Sequence, residues 1–203
     1  SWLSAIEAQM AEFGTAIAIA RREMVTMLSG LIESGQQESP FPKAHLELTD
    51  FIDDIGAGHE GLAAEIEDGF ARLLSQSRYR DAAAGRTLVG PHRSDLKVRH
   101  LEKDMDAARC STGEQKALLI AILMAHARLL TLERGAAPLL LLDEVAAHLD
   151  AARRAALYEE ILGLGAQAWL TGTDAADFEG LDGRAQFFCI NDGGIGPANG
   201  DRT

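Results

Sequence analysis

Four consecutive leucines, Leu139–Leu142, run from Pro138 directly into two acids, Asp143 and Glu144. A run this short and this apolar is a strand bounded by turn signals, and its lack of polar alternation predicts cover on both faces. Strands of that kind belong to parallel sheets flanked by helices. The second half of the chain alternates accordingly. The pattern predicts a helix over about 114–133, the leucine strand, a helix over about 151–162, and strands over 166–170 and 186–190. The last strand turns at Asn191-Asp192-Gly193-Gly194. Strand–helix–strand alternation predicts an α/β fold with a largely parallel sheet. The tail from Pro197 reads as disordered.

The first half is different. Ile6, Met10, Phe13, Ile17, Ala20, Met24, Met27 and Leu31 recur in alternating steps of four and three, which predicts one long helix with a stripe for a partner helix. Ser34-Gly35 ends it, and Pro40-Phe41-Pro42 prevents its continuation. Residues 43–55 read as a strand or an irregular segment. A second helix is predicted over about 60–79, with Leu62, Ile66, Phe70 and Leu73 on one face. The two stripes suit an antiparallel helical arm; a dimer-forming coiled coil is the lesser reading. Thr87–Gly90 reads as a short strand entering a turn, and Asp95–His100 as a second strand. The expected organisation is a helical lobe or arm over 1–80, an α/β part over 81–196 and a tail over 197–203.

Charge and length exclude several classes. No stretch of ~18 uninterrupted apolar residues predicts a membrane span, and the start carries no signal-peptide pattern. Ser1 stands where an initiator Met is usual, so a processed or excised chain is expected. Cys110 and Cys189 lie far apart without metal-ligand spacing, which suits a reducing, cytoplasmic compartment. The net charge of −12 argues against wholesale nucleic-acid binding. One basic island interrupts the acidic chain, with seven Lys and Arg against three acids between residues 78 and 103. It reads equally as a solvated surface or as a phosphate-contacting patch.

Three segments carry chemistry. In open α/β sheets ligands sit at the carboxyl ends of the strands, so the leucine strand delivers Asp143 and Glu144 to that edge in the form of a Walker B motif. Asp143 suits a magnesium ion held through water, and Glu144 the orientation or deprotonation of an attacking water. Ser111-Thr112-Gly113-Glu114-Gln115 opens the helix before it. Ser111 and Glu114 fit a capping box, and the same helix start offers free N–H groups to an anion. A Ser-x-Gly-x-Gln helix start shortly before a Walker B strand has the pattern of an ABC signature loop. Ala147-His148-Leu149-Asp150 then occupies the place of a D-loop, with Asp150 also suited to cap the next helix. No GxxxxGK[ST] phosphate loop occurs in the sequence. Thr171-Gly172-Thr173-Asp174 stands where ABC proteins place a switch histidine, and Thr173 lacks the charge of an imidazolium.

Together with Gly90-Pro91-His92-Arg93-Ser94-Asp95-Leu96, these segments resemble the RecF family of bacterial DNA replication and repair proteins. The likeness is clearest from Thr87 to Asn191, and the GPHR segment is its most specific part. It implies the carboxyl-terminal part of an ABC-type P-loop NTPase head, preceded by a helical lobe. It implies ATP and Mg2+ as cofactors and an ATP-dependent homodimer. It also implies DNA with single-strand/double-strand junctions as a partner, RecO and RecR as further partners, and no membrane. By that resemblance Asp143 takes the metal and Glu144 the water. Ser111, Thr112, Gly113, Glu114 and Gln115 meet the nucleotide of the opposing protomer, Asp150 lines the dimer interface, and Thr173 holds the switch position. Arg93, Lys97 and Arg99 become candidates for DNA phosphates. The family carries its phosphate loop near the amino terminus, so this chain alone is expected to be inactive and the whole protein a slow ATPase. A non-enzymatic helical interaction module and the head of another SMC-like ATPase are the alternatives.

Overall fold

The computed structural model describes residues 2–35, 39–55, 62–191 and 193–197. The chain divides into two compact units. One comprises Ser1–Gly35 and Lys43–Cys110, the other Gln36–Pro42 and Ser111–Thr203. The division by packing falls between Cys110 and Ser111, later than the boundary expected at 80/81. The reason is the pairing of the strands in the basic island with a strand near residue 45.

In the first unit, α1 spans Trp2–Ser34 and α3 spans Ala63–Ala84. The expected start of α3 near Glu60 lies outside the described residues. The two helices run antiparallel: Glu7 near the start of α1 accepts Nε–H of Arg78 near the end of α3 at 2.6 Å. The buried face of α1 is not the predicted stripe. Ala11, Gly14, Thr15, Ala18, Val25, Leu28 and Ile32 are buried, while Met10, Phe13, Ile17, Met24 and Met27 are exposed. Small residues win that face because the partner supplies the volume. A Cβ on Gly14 would lie 2.4 Å from the Phe70 ring, and Phe70 stacks on Phe51 with centroids 3.9 Å apart. On α3, Ile66 and Phe70 are buried as predicted, Leu74 joins them, and Leu62 is exposed.

Residues 43–55 form β1 (Ala44–Thr49) and the short helix α2 (Phe51–Ile55). β1 pairs antiparallel with β2 (Asp95–His100), and β2 with β3 (Met105–Asp106). Between β1 and α2 sits the buried Asp50. Arg22 reaches it from α1 through two bonds of 3.1 and 2.8 Å, and Asp50 also accepts the Ile52 N–H at 2.8 Å. The expected strand at Thr87–Gly90 does not form. Leu88 N–H goes instead to the Asp81 side chain at 3.0 Å, and a 3-10 turn over Pro91–Arg93 follows.

In the second unit, α4 spans Thr112–Arg134, β4 Leu140–Leu142, α5 Ala151–Leu164 and β5 Ala168–Leu170. β4 and β5 are parallel, with Leu142 opposite Leu170. β6 (Phe188–Asn191) and β7 (Gly194–Pro197) form an antiparallel hairpin, so among the described residues the sheet content is mixed and the parallel pairing is confined to β4–β5. The core gathers Ala117, Ile120 and Met124 of α4, Leu140 and Leu142 of β4, and Leu157, Tyr158 and Ile161 of α5. α4 is long and apolar enough to cross a membrane by length and composition; Ala117, Ile120 and Met124 on it pack into this core, while Leu119 and Leu132 are exposed. The leucine strand is covered on one face rather than both: Leu140 and Leu142 are buried, but Leu141 is 73% exposed. On that open face Trp169 stacks against Phe188 at 6.4 Å.

Candidate nucleotide site and its relatives

The residues assigned to nucleotide all fall in the second unit. Ser111 is extended (φ −61°, ψ 156°) and starts α4 with a complete capping box. Its Oγ accepts the Glu114 N–H at 3.4 Å, and the Glu114 carboxylate accepts from Ser111 N–H at 2.9 Å and from the hydroxyl at 2.8 Å. Glu114 is therefore committed to its own helix start. Gly113 faces open space, since a Cβ built there meets nothing within 4 Å. The N–H groups of a first helical turn have no intrahelical acceptors, and the helix dipole adds positive potential there. Ser111, Thr112, Gly113 and Gln115 are all exposed at this end of α4.

Asp143 and Glu144 leave the carboxyl end of β4, both exposed. Register decides what stands beside them. Thr171 follows Leu170 of the neighbouring strand, and its N–H continues the parallel pairing to Leu142 O at 3.0 Å. The Thr171 hydroxyl donates to Asp143 Oδ1 and accepts the Glu144 N–H at 3.1 Å. Glu144 itself has φ 48°, a left-handed conformation that costs a non-glycine residue about 1 kcal/mol or more. Strain of this sort persists where surrounding bonds enforce it. Thr173 is exposed and makes no hydrogen bond to the acids among the described residues. Sequence reading passed over Thr171. Its only local signal is its place as the first residue after a strand that neighbours the acid-bearing one.

The donor set bears on the cation. Among the described residues no three His, Cys, Asp or Glu cluster as metal ligands. A dedicated all-protein cage is thus not what these residues build. One exposed carboxylate beside a hydroxyl suits magnesium, which keeps several waters and takes its other ligands from phosphates.

Asp150 caps α5, accepting the Arg153 N–H at 2.9 Å. That backbone bond holds its carboxyl below the usual aspartate range. In the first unit, the GPHR turn is pinned from several sides. Arg21 donates to Pro91 O at 2.6 Å, and His92 Nε2 lies 2.9 Å from Thr87 O. Arg93 and Lys97 are exposed and carry no ion pair among the described residues, whereas Arg99 pairs with Asp104 at 2.6 Å.

No protein-family model matches the chain. Among curated proteins it is 57% identical over 195 residues to the DNA replication and repair protein RecF of Rhizobium rhizogenes, covering 96% of this chain and 51% of that protein. The RecF of Rhizobium meliloti is 53% identical over 196 residues, with the same coverage of each. The chain resembles RecF over nearly its whole length. A solved structure described as the recombination mediator protein RecF-ATPrS in the RecFOR pathway superposes with a TM-score of 0.77. It is 25% identical, with 97% of this chain and 50% of that one covered. A RecF-ATP structure gives a TM-score of 0.76 at the same identity. The chain spans about half the length of the RecF proteins it matches. The match extends through α1 and α3 as well as the region from Thr87 onward, so the helical first segment shares the RecF likeness.

Proposed function

We propose that this chain is the acid-and-signature half of an ABC-type ATPase that works in bacterial DNA replication and repair. The observation that supports it most is the acid pair at the carboxyl end of β4, held by Thr171, in the same compact unit as the Ser111-capped helix. Likeness to RecF gives the arrangement its context. ATP and Mg2+ supply a phosphoryl group whose charge is partly neutralised. Asp143 holds the cation through water, and Glu144 orients or deprotonates the attacking water. Ser111, Thr112, Gly113 and Gln115 offer a hydroxyl, N–H groups and an amide to the nucleotide of a second protomer. Asp150 lines the interface between the two heads, and Thr173 keeps the switch position without an imidazolium.

In this reading a phosphate loop from elsewhere in the intact protein grips each nucleotide, because this chain contains none. The chain alone hydrolyses no ATP, and the whole protein is a slow ATPase that dimerises on ATP. Its working partners are DNA with single-strand/double-strand junctions, and RecO and RecR, in the cytoplasm. Together they help load recombinase at single-strand gaps. Arg93 and Lys97 are the better candidates for DNA phosphates, since Arg99 already has an acidic partner.

Ser111→Arg in the intact protein tests the reading. Loss of ATP-dependent dimerisation, measured by light scattering, with monomer nucleotide binding retained is the expected result. Dimerisation at the native level would remove the signature helix from the site.

A further inference from the structure

The bonds around Thr171 point to a function for that residue. A hydroxyl has one proton to donate and lone pairs to accept with. Here the proton goes to Asp143 Oδ1, and a lone pair takes the Glu144 N–H. Both uses are directed at the two acids, so the hydroxyl is oriented at both ends. The Thr171 backbone is fixed independently, through its N–H to Leu142 O. The side chain is exposed, so filling a core does not account for it.

We propose that Thr171 is the positioning residue of the acid pair, setting the Asp143 carboxylate for the cation and holding Glu144 in its left-handed backbone. The inference rests on the ATP-site reading above. One oxygen of Asp143 is occupied by the hydroxyl, which leaves the other oriented for a metal-bound water. The Glu144 N–H anchors a residue whose φ of 48° would otherwise relax, carrying its carboxylate away from the strand end. Partners that orient a metal-binding carboxylate commonly affect metal affinity by about 10–100-fold.

The test uses the intact protein with ATP, and Mn2+ standing in for Mg2+. Free Mn2+ is read by electron paramagnetic resonance, with turnover measured beside it. Thr171→Val keeps the shape and removes the hydroxyl. It should weaken Mn2+ affinity about tenfold and lower kcat, while the melting temperature stays close to native. Thr171→Ser restores the hydroxyl and should return Mn2+ affinity to near the native value. If valine impairs folding, Thr171→Ala gives the same comparison. Asp143→Asn separates the two levels of the argument. Unchanged Mn2+ affinity in Asp143→Asn would overturn the ATP-site reading itself. Weakened affinity in Asp143→Asn with native affinity in Thr171→Val, or serine as poor as valine, would overturn the role of Thr171 alone.

Discussion

Replacing Gly90 with alanine isolates what the GPHR turn demands of its first residue. Gly90 has φ 138° and ψ −177°, a region that is essentially restricted to glycine and costs another residue about 1–3 kcal/mol. Space is short as well. A Cβ there would lie 3.2 Å from the Phe70 ring and 3.4 Å from His92 Nδ1. The ring has no room to yield, because Phe51 stacks on it at 3.9 Å and Gly14 presses close from α1. Alanine recovers about 0.4–1 kcal/mol by restricting the unfolded chain. With about 1 kcal/mol added for the crowded ring contact, the net expectation is a loss of about 2 kcal/mol. Gly30 is the control: it sits inside α1 with nothing within 4 Å of a built Cβ, so Gly30→Ala should gain about 0.5–1 kcal/mol. Urea unfolding of the chain, followed by helical circular dichroism, reads both. At a slope of about 2 kcal/mol per molar, Gly90→Ala lowers the midpoint by about 1 M and Gly30→Ala raises it. A Gly90→Ala midpoint at or above the native one would refute the strained, ring-packed turn.

Two further outcomes follow from the first unit. Arg22→Met leaves Asp50, whose side chain is fully buried, without its cation, and the same unfolding assay should show a loss of about 3–5 kcal/mol. The Arg78 hydrogen bond lowers the Glu7 pKa below its unfolded value, so Glu7 contributes stability that is full above about pH 4.3 and lost as pH falls through the lower folded value. Glu7→Gln should therefore narrow the stability gap to the native chain as pH drops through that window, measured by unfolding midpoints from neutral to acid pH.

The second unit was the more legible in the sequence. Helices α4 and α5 carry clear caps in Ser111 and Asp150, strands β4 and β5 are short apolar runs between helices, and each formed close to its expected bounds. The length of α1 was equally clear, but its buried face was not. Large side chains set the 3.5-residue stripe, whereas contact with α3 selected Ala11, Gly14 and Ala18, because Phe70 needs room rather than a partner of its own size. Small residues at a close helix approach leave little trace in hydrophobic periodicity. The strand expected at Thr87–Gly90 failed for a related reason: a side-chain acceptor, Asp81, took the N–H that pairing would have used. The cover expected on both faces of the leucine strand met only one in this chain, which exposes Leu141. At the site, Asp143 and Glu144 were named from local pattern. Thr171 was not, because its place beside them depends on the register of β4 against β5, and register between distant strands is invisible to any local window.

In the proposed site, Asp143 and Ser111 of one chain serve different ATP molecules. Mixing two variants of the intact protein, Asp143→Asn and Ser111→Arg, tests it most directly. Each variant alone should be inactive. In the mixed dimer, one composite site joins the native acids of the Ser111→Arg protomer to the native signature helix of the other. ATP turnover should therefore reappear on mixing and peak near equal amounts. Two inactive variants that stay inactive at every ratio, while still forming mixed dimers, would place Asp143 and Ser111 of one chain at the same ATP molecule.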